Sequence, residues 1–144
     1  MNKITVISLD KGLEKNEKSI KNTALKILKV LNKNKVSVEI YLADARKMRF
    51  LNKKFRNKNK TASILSFEEP KNFILPASKS KKLGEIYLNA EVSSFKLDPL
   101  GSRKRQQVSG LLAHGLLHLL GYKHSSKSDR IKMERKEKYV SRRL

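Results

Sequence analysis

His114-Gly115-Leu116-Leu117-His118-Leu119-Leu120-Gly121-Tyr122-Lys123-His124 holds all three histidines of the chain and sets the centre of the expected fold. Val108, Leu111, Leu112 and Leu119 lie within and ahead of it at helical spacing, so a helix is expected here with those residues packed inward. Ser102 is placed to cap that helix. His114 and His118 are four apart and project from one helical face, one turn above the other. Gly121 follows the last apolar pair and can take the left-handed conformation that ends a helix. The chain can then turn back and carry His124 towards the other two. Three neutral imidazoles hold a zinc-like dication and leave a fourth position for water, the open arrangement of catalytic zinc sites. Read instead as a helical pair and a stray loop histidine, the stretch leaves the agreement of helix phase, glycine and third histidine unexplained.

Outward from this helix the sequence alternates between strand and helix signals. Ile4, Val6 and Leu9, with Thr5 and Ser8 between, suggest a first strand. From about Asn16 to Leu31, Ile20, Ala24, Ile27, Leu28 and Leu31 recur at helical spacing, with lysines on the other side. Val36, Val38, Ile40 and Leu42 alternate with Ser37, Glu39 and Tyr41 as a second strand. Asp44 can cap a second helix carrying Met48, Leu51 and Phe55, and a basic loop from Arg56 to Lys60 follows. Ser63 to Phe67 reads as a short buried strand, Glu68 to Lys82 as a loop with Pro70 and Pro76, and Glu85 to Leu88 as another strand. Asp98-Pro99 breaks the chain before the histidine helix. Ser126-Lys127-Ser128-Asp129 resembles a capping box that opens a last, strongly basic helix. Its thin apolar stripe of Ile131, Met133 and Val140 places it at the surface. The expected fold is α+β: one domain over residues 1–144, a small mixed sheet of about four strands packed by four to six helices, and the metal site at the end of a central helix.

Composition narrows the partners. The chain has 34 basic and 13 acidic residues, a net charge of +21, with 38% hydrophobic residues. That apolar content is enough for a core and excludes wholesale disorder. A surplus of positive charge this large calls for a polyanion, nucleic acid first and an anionic membrane surface second. Most loop lysines are read as solvated, with a minority on a nucleic-acid track. The longest apolar run, Leu111 to Leu120, is interrupted by two histidines and too short to span a bilayer. The start of the chain lacks a signal-peptide pattern, and with no cysteine there is neither disulfide framework nor thiolate zinc site. A cytoplasmic protein without a membrane partner is expected.

Both hydrolytic classes, peptide and phosphodiester, are open to a tris-histidine metal. The spacing H-x-x-x-H-x-x-G-x-x-H is that of metzincin proteases, which carry a glutamate directly after the first histidine as general base. Here that position is Gly115, which cannot move a proton. The basic charge points instead to a phosphodiester, held by lysines and arginines.

At these residues the sequence resembles the YbeY family of bacterial metallo-endoribonucleases, also called rRNA maturation factors. The family's H-G-x-L-H-L-x-G-Y-D-H is matched from His114 to His124 at every fixed position but Lys123, which stands for an aspartate. Leu51-Asn52-Lys53-Lys54-Phe55-Arg56 is similar to its L-N-x-x-[YF]-R segment, Ser63 to Phe67 to the tail of T-D-V-L-S-F, and Leu83-Gly84-Glu85-Ile86 to L-G-D-I. Ala62-Ser63 replaces Thr-Asp and Glu85 replaces Asp. The resemblance implies a single-strand-specific endoribonuclease with a zinc-type ion. Its implied partners are small-subunit rRNA and the ribosome, in rRNA 3′-end maturation and ribosome quality control. It implies His114, His118 and His124 as metal ligands. Arg56 and His114 are the implied catalytic residues, Arg56 as a phosphate clamp whose planar fork suits phosphate oxygens. The changes at Ser63 and Lys123 keep a second function class open, a non-catalytic rRNA- or ribosome-binding protein whose metal is structural or vestigial.

Overall fold

Where apolar and polar residues alternate from Val36 to Leu42 the chain forms a strand, and each apolar member of the alternation is buried. The computed structural model describes residues 1–70, 81–89 and 102–144, with the backbone alone at 102–105. In chain order the elements are β1 (Lys3–Ser8), a one-turn 3-10 helix (Glu14–Asn16), α1 (Glu17–Val30), β2 (Val36–Ala43), α2 (Ala45–Arg56), β3 (Ile64–Glu68), β4 (Lys81–Asn89), α3 (Ser102–Leu119) and α4 (Lys127–Ser141). The strands form one mixed sheet in the order β1-β2-β4-β3. β1 with β2 and β2 with β4 are parallel, and β3 runs antiparallel to β4. Among the described residues the architecture is the expected one: α+β, four strands, four helices. The break at Asp98-Pro99 and the part of the loop around Pro76 lie outside the described residues.

β4 begins at Lys81, where a loop reaching Lys82 was expected, because Lys81 and Lys82 continue the ladder against Val36 and Ser37. Among the described residues β3 is an edge strand, and only Leu65 of it is buried, so the short buried strand expected there is half open. Gly84 has φ +148°, and a Cβ there would stand 2.2 Å from the Phe67 carbonyl oxygen. Only a glycine lets β4 pass β3 at that point.

One face of the sheet carries the main core. Ile4, Val38, Ile40, Leu42, Ile86 and Leu88 pack with Ile20, Ala24, Ile27 and Leu28 of α1 and Val108, Leu112, Leu116 and Leu117 of α3. Each such side chain contributes about 1.5–3 kcal/mol when fully buried. α4 docks on this core through Met133 and Val140, both 0% exposed, so only Ile131 keeps the surface position expected for the stripe. The other face carries a smaller cluster, Ala43, Met48 and Leu65 with Leu51, Phe67 and Tyr87, under α2. Asp44 caps α2 by accepting the Lys47 amide at 2.8 Å. Phe55, near the end of α2, is not part of this cluster's core and stays 58% exposed.

Candidate metal centre

The histidine helix is seated by its glycine. A Cβ on Gly115 would meet Ile64 Cδ1 at 2.9 Å, Ser66 Oγ at 3.0 Å and Ile86 Cδ1 at 3.2 Å, so α3 touches β3 and β4 with its backbone. A glutamate at this position, the protease's base, is therefore missing, and one placed there would have to push aside the ends of Ile64, Ser66 and Ile86. With Gly115 buried, His114 and His118 are half-buried on the flank of the helix.

Gly121 ends the helix as the spacing predicts. Its φ is +104°; its amide bonds the His118 carbonyl at 3.0 Å and the Tyr122 amide bonds the Leu117 carbonyl at 3.0 Å, the paired bonds of a Schellman cap. The turn brings His124 back. Ring centroids stand 4.7 Å apart for His114 and His118, 4.8 Å for His114 and His124, and 4.6 Å for His118 and His124. One ring nitrogen from each lies within 4.8 Å of the others. Nitrogens at about 2.0–2.1 Å from a tetrahedral ion are roughly 3.4 Å apart. The set fits such an ion after a modest inward rotation, and exposed His124 has the most freedom to make it.

Two of the three rings are already oriented. His114 Nδ1 lies 2.8 Å from Glu137 Oε1 of α4. A carboxylate accepts only, so Nδ1 carries the proton of this contact and Nε2 is the ring nitrogen left to face a metal. His118 bonds the backbone of Tyr122. Its pKa is lowered, chiefly because burial penalises the charged ring and then because His114 and His124 oppose another charge. That shift favours the neutral ring, the form that binds metal. Glu137 had no signal in the sequence: it lies 23 residues beyond His114, amid basic residues, and only the docking of α4 on α3 joins them. It supplies the carboxylate that Lys123 does not. Lys123 itself is exposed, and Glu85 faces the opposite side of the sheet, where it neighbours Lys82 at 3.9 Å.

His114 and His118 open into a cleft of about 580 Å³ beside β3, the edge strand among the described residues. Arg56, Lys58 and Lys60 line the same cleft, with Glu68 as its carboxylate. The structure thus brings Arg56 to the histidines, close enough that its charge opposes protonation of His118. The Arg56 guanidinium donates from Nη2 to the Ser66 carbonyl at 3.0 Å and lies 5.7 Å over the Phe67 ring. Buried Asn52 fixes the loop beneath: its side chain donates to the Lys60 carbonyl at 2.9 Å and its own carbonyl accepts the Lys58 amide at 3.3 Å. Sequence reading passed over Asn52 because its role depends on a loop eight residues away. No helix among the described residues is long and apolar enough to cross a membrane.

The family profile described as Endoribonuclease YbeY matches residues 3–144. The chain is 33% identical over 117 residues to the Endoribonuclease YbeY of Sulfurihydrogenibium sp. (strain YO3AOP1), covering 81% of this chain and 75% of that protein. It is 32% identical over 118 residues to that of Aquifex aeolicus (strain VF5), covering 81% and 76%. Its fold is similar to a solution structure of a Thermotoga maritima protein, with a TM-score of 0.53 and 22% identity over 95% of this chain and 88% of that one.

Proposed function

The chain belongs to the endoribonuclease YbeY family, and from that premise we propose that it hydrolyses single-stranded RNA, with zinc held by His114, His118 and His124. The substrate would be small-subunit rRNA, at the maturation of its 3′ end and in quality control of ribosomes in the cytoplasm. The observation that carries this reading is that two members of the histidine group, His114 and His118, line one cleft with Arg56, Lys58 and Lys60. A zinc ion bound there would polarise a phosphoryl oxygen and bring the pKa of water towards neutrality. The chain's own residues do the rest. Glu137 keeps the proton on His114 Nδ1. Arg56, steadied by the Ser66 carbonyl and the Phe67 ring, grips a phosphate beside the histidines. Lys58 and Lys60 hold the flanking backbone.

The test couples elemental analysis to cleavage of single-stranded rRNA fragments. Metal at one ion per chain is expected, with cleavage lost on chelation and in His114→Ala. Undiminished cleavage by a His114→Ala protein shown to be metal-free would overturn the reading. Ser63 and exposed Lys123 favour one rival, an rRNA-binding protein with a vestigial metal. It predicts salt-sensitive binding with no product ends.

A further inference from the structure

We infer that Phe55 is a stacking platform for an unpaired nucleobase beside the phosphate clamp, an inference that rests on the RNA substrate proposed above. Phe55 stands in the last turn of α2 with 58% of its surface exposed, next in sequence to Arg56. Its ring meets the edge of Phe67 at 5.5 Å between centroids and 67° between planes. Phe67 lines the cleft and also carries the Arg56 guanidinium. The Lys54 ammonium lies 5.4 Å from the Phe55 centroid and 5.8 Å from that of Phe50. Lys54, Phe55, Phe67 and Arg56 thus form a chain of cation and ring contacts that ends on two residues lining the cleft.

This surface chooses its occupant by charge. An apolar protein side chain docking on Phe55 would have to desolvate Lys54 and the nearby Arg56. A single RNA strand offers what the rim lacks, phosphates for the cations and a flat ring for the aromatic face. Base stacking on aromatic rings is how single strands are held without reading their sequence. Bases inside a duplex are already stacked and cannot reach the ring, so Phe55 would favour single strands over duplexes.

The experiment measures binding of a short oligoadenylate to the full chain by fluorescence anisotropy, with chelator present so that nothing is cut. Phe55→Leu keeps apolar bulk without a π face, and Phe55→Tyr keeps the face. Leu is expected to weaken binding roughly 5- to 150-fold and Tyr to leave it within about twofold. The slope of affinity against salt should be unchanged in Phe55→Leu and shallower in Lys58→Ala. An abasic oligomer or a blunt RNA duplex should bind the parent and Phe55→Leu alike. Equal oligoadenylate affinity for parent and Phe55→Leu, with matching melting curves, would overturn the inference alone. A parent that binds no RNA would overturn it together with the nuclease reading. Binding that depends on Phe55, without cleavage once metal is restored, would support the stacking role and remove only the catalysis.

Discussion

Removing the Glu137 carboxylate should weaken metal binding without unfolding the protein. The single contact at stake is His114 Nδ1 to Glu137 Oε1 at 2.8 Å, between side chains that are 33% and 34% exposed. Exposure of that degree limits the pair's worth to folding to about 1 kcal/mol or less. For a chain of this size that is a fall in Tm of no more than about 4 °C. The effect on a bound ion is larger, because the carboxylate fixes both the tautomer and the angle of the ligating ring. Loss of such a partner costs typically 10- to 100-fold in affinity, or about 1.4–2.7 kcal/mol. Glu137→Ala should fall at the far end of that range. Glu137→Gln, which keeps an oxygen acceptor and loses the charge, should fall at the near end. Competition against a zinc-responsive chelator near neutral pH reads the affinity, and a thermal melt of the metal-free protein reads the fold. If both variants bind zinc as tightly as the parent, the orienting role of Glu137 is wrong.

Three further outcomes follow from the same geometry. Gly115→Glu should lose at least about 3 kcal/mol in urea denaturation, since a charged side chain would be forced against Ile64, Ser66 and Ile86; a variant that folds normally and gains peptidase activity would refute the steric account. Gly121→Ala meets open space but must hold φ +104°, so a loss of about 1–2 kcal/mol is expected together with weaker metal binding as His124 is displaced; unchanged zinc affinity would show that the glycine does not place His124. In metal-free protein His118 has a pKa below its ordinary 6.5, so the unfolded chain binds more protons in the window just below that value. Stability should therefore fall as pH drops through this window and be insensitive to His118 above it. Urea midpoints at about pH 7.5 and about pH 5, compared between parent and His118→Gln, measure the difference. An equal slope in both would exclude His118 as a cause.

Local patterns were legible where their cause is local. The alternation of Val36 to Leu42, the helical spacing of Ile20 to Leu28, the caps at Asp44 and Ser126 and the Schellman turn at Gly121 all depend on residues within one turn or one strand. The histidine group was readable for the same reason, eleven residues with one glycine hinge. What escaped is set by tertiary packing. Met133 and Val140 looked like a thin stripe because burial by α3 leaves no periodic excess of apolar residues on α4. The start of β4 at Lys81 was hidden because two lysines carry no strand signal, although their backbones complete a parallel ladder. Glu137 and Asn52 act across chain separations that spacing rules do not reach. Gly115 was legible as the loss of a base and not as the contact that seats the helix.

Among the described residues β3 borders the sheet, and a strand edge is a template on which a second strand can pair. On this edge the Ser66 carbonyl is held by Arg56, and Lys58 and Lys60 stand in the approach. A second copy arriving to extend the sheet would bring the same +21 charge. The groove that draws in a polyanion thus repels its own kind, and resistance to edge-to-edge self-association comes from the same side chains as substrate affinity. That resistance should be strongest in dilute buffer and fade as salt shortens the screening length to about 10 Å near 0.1 M.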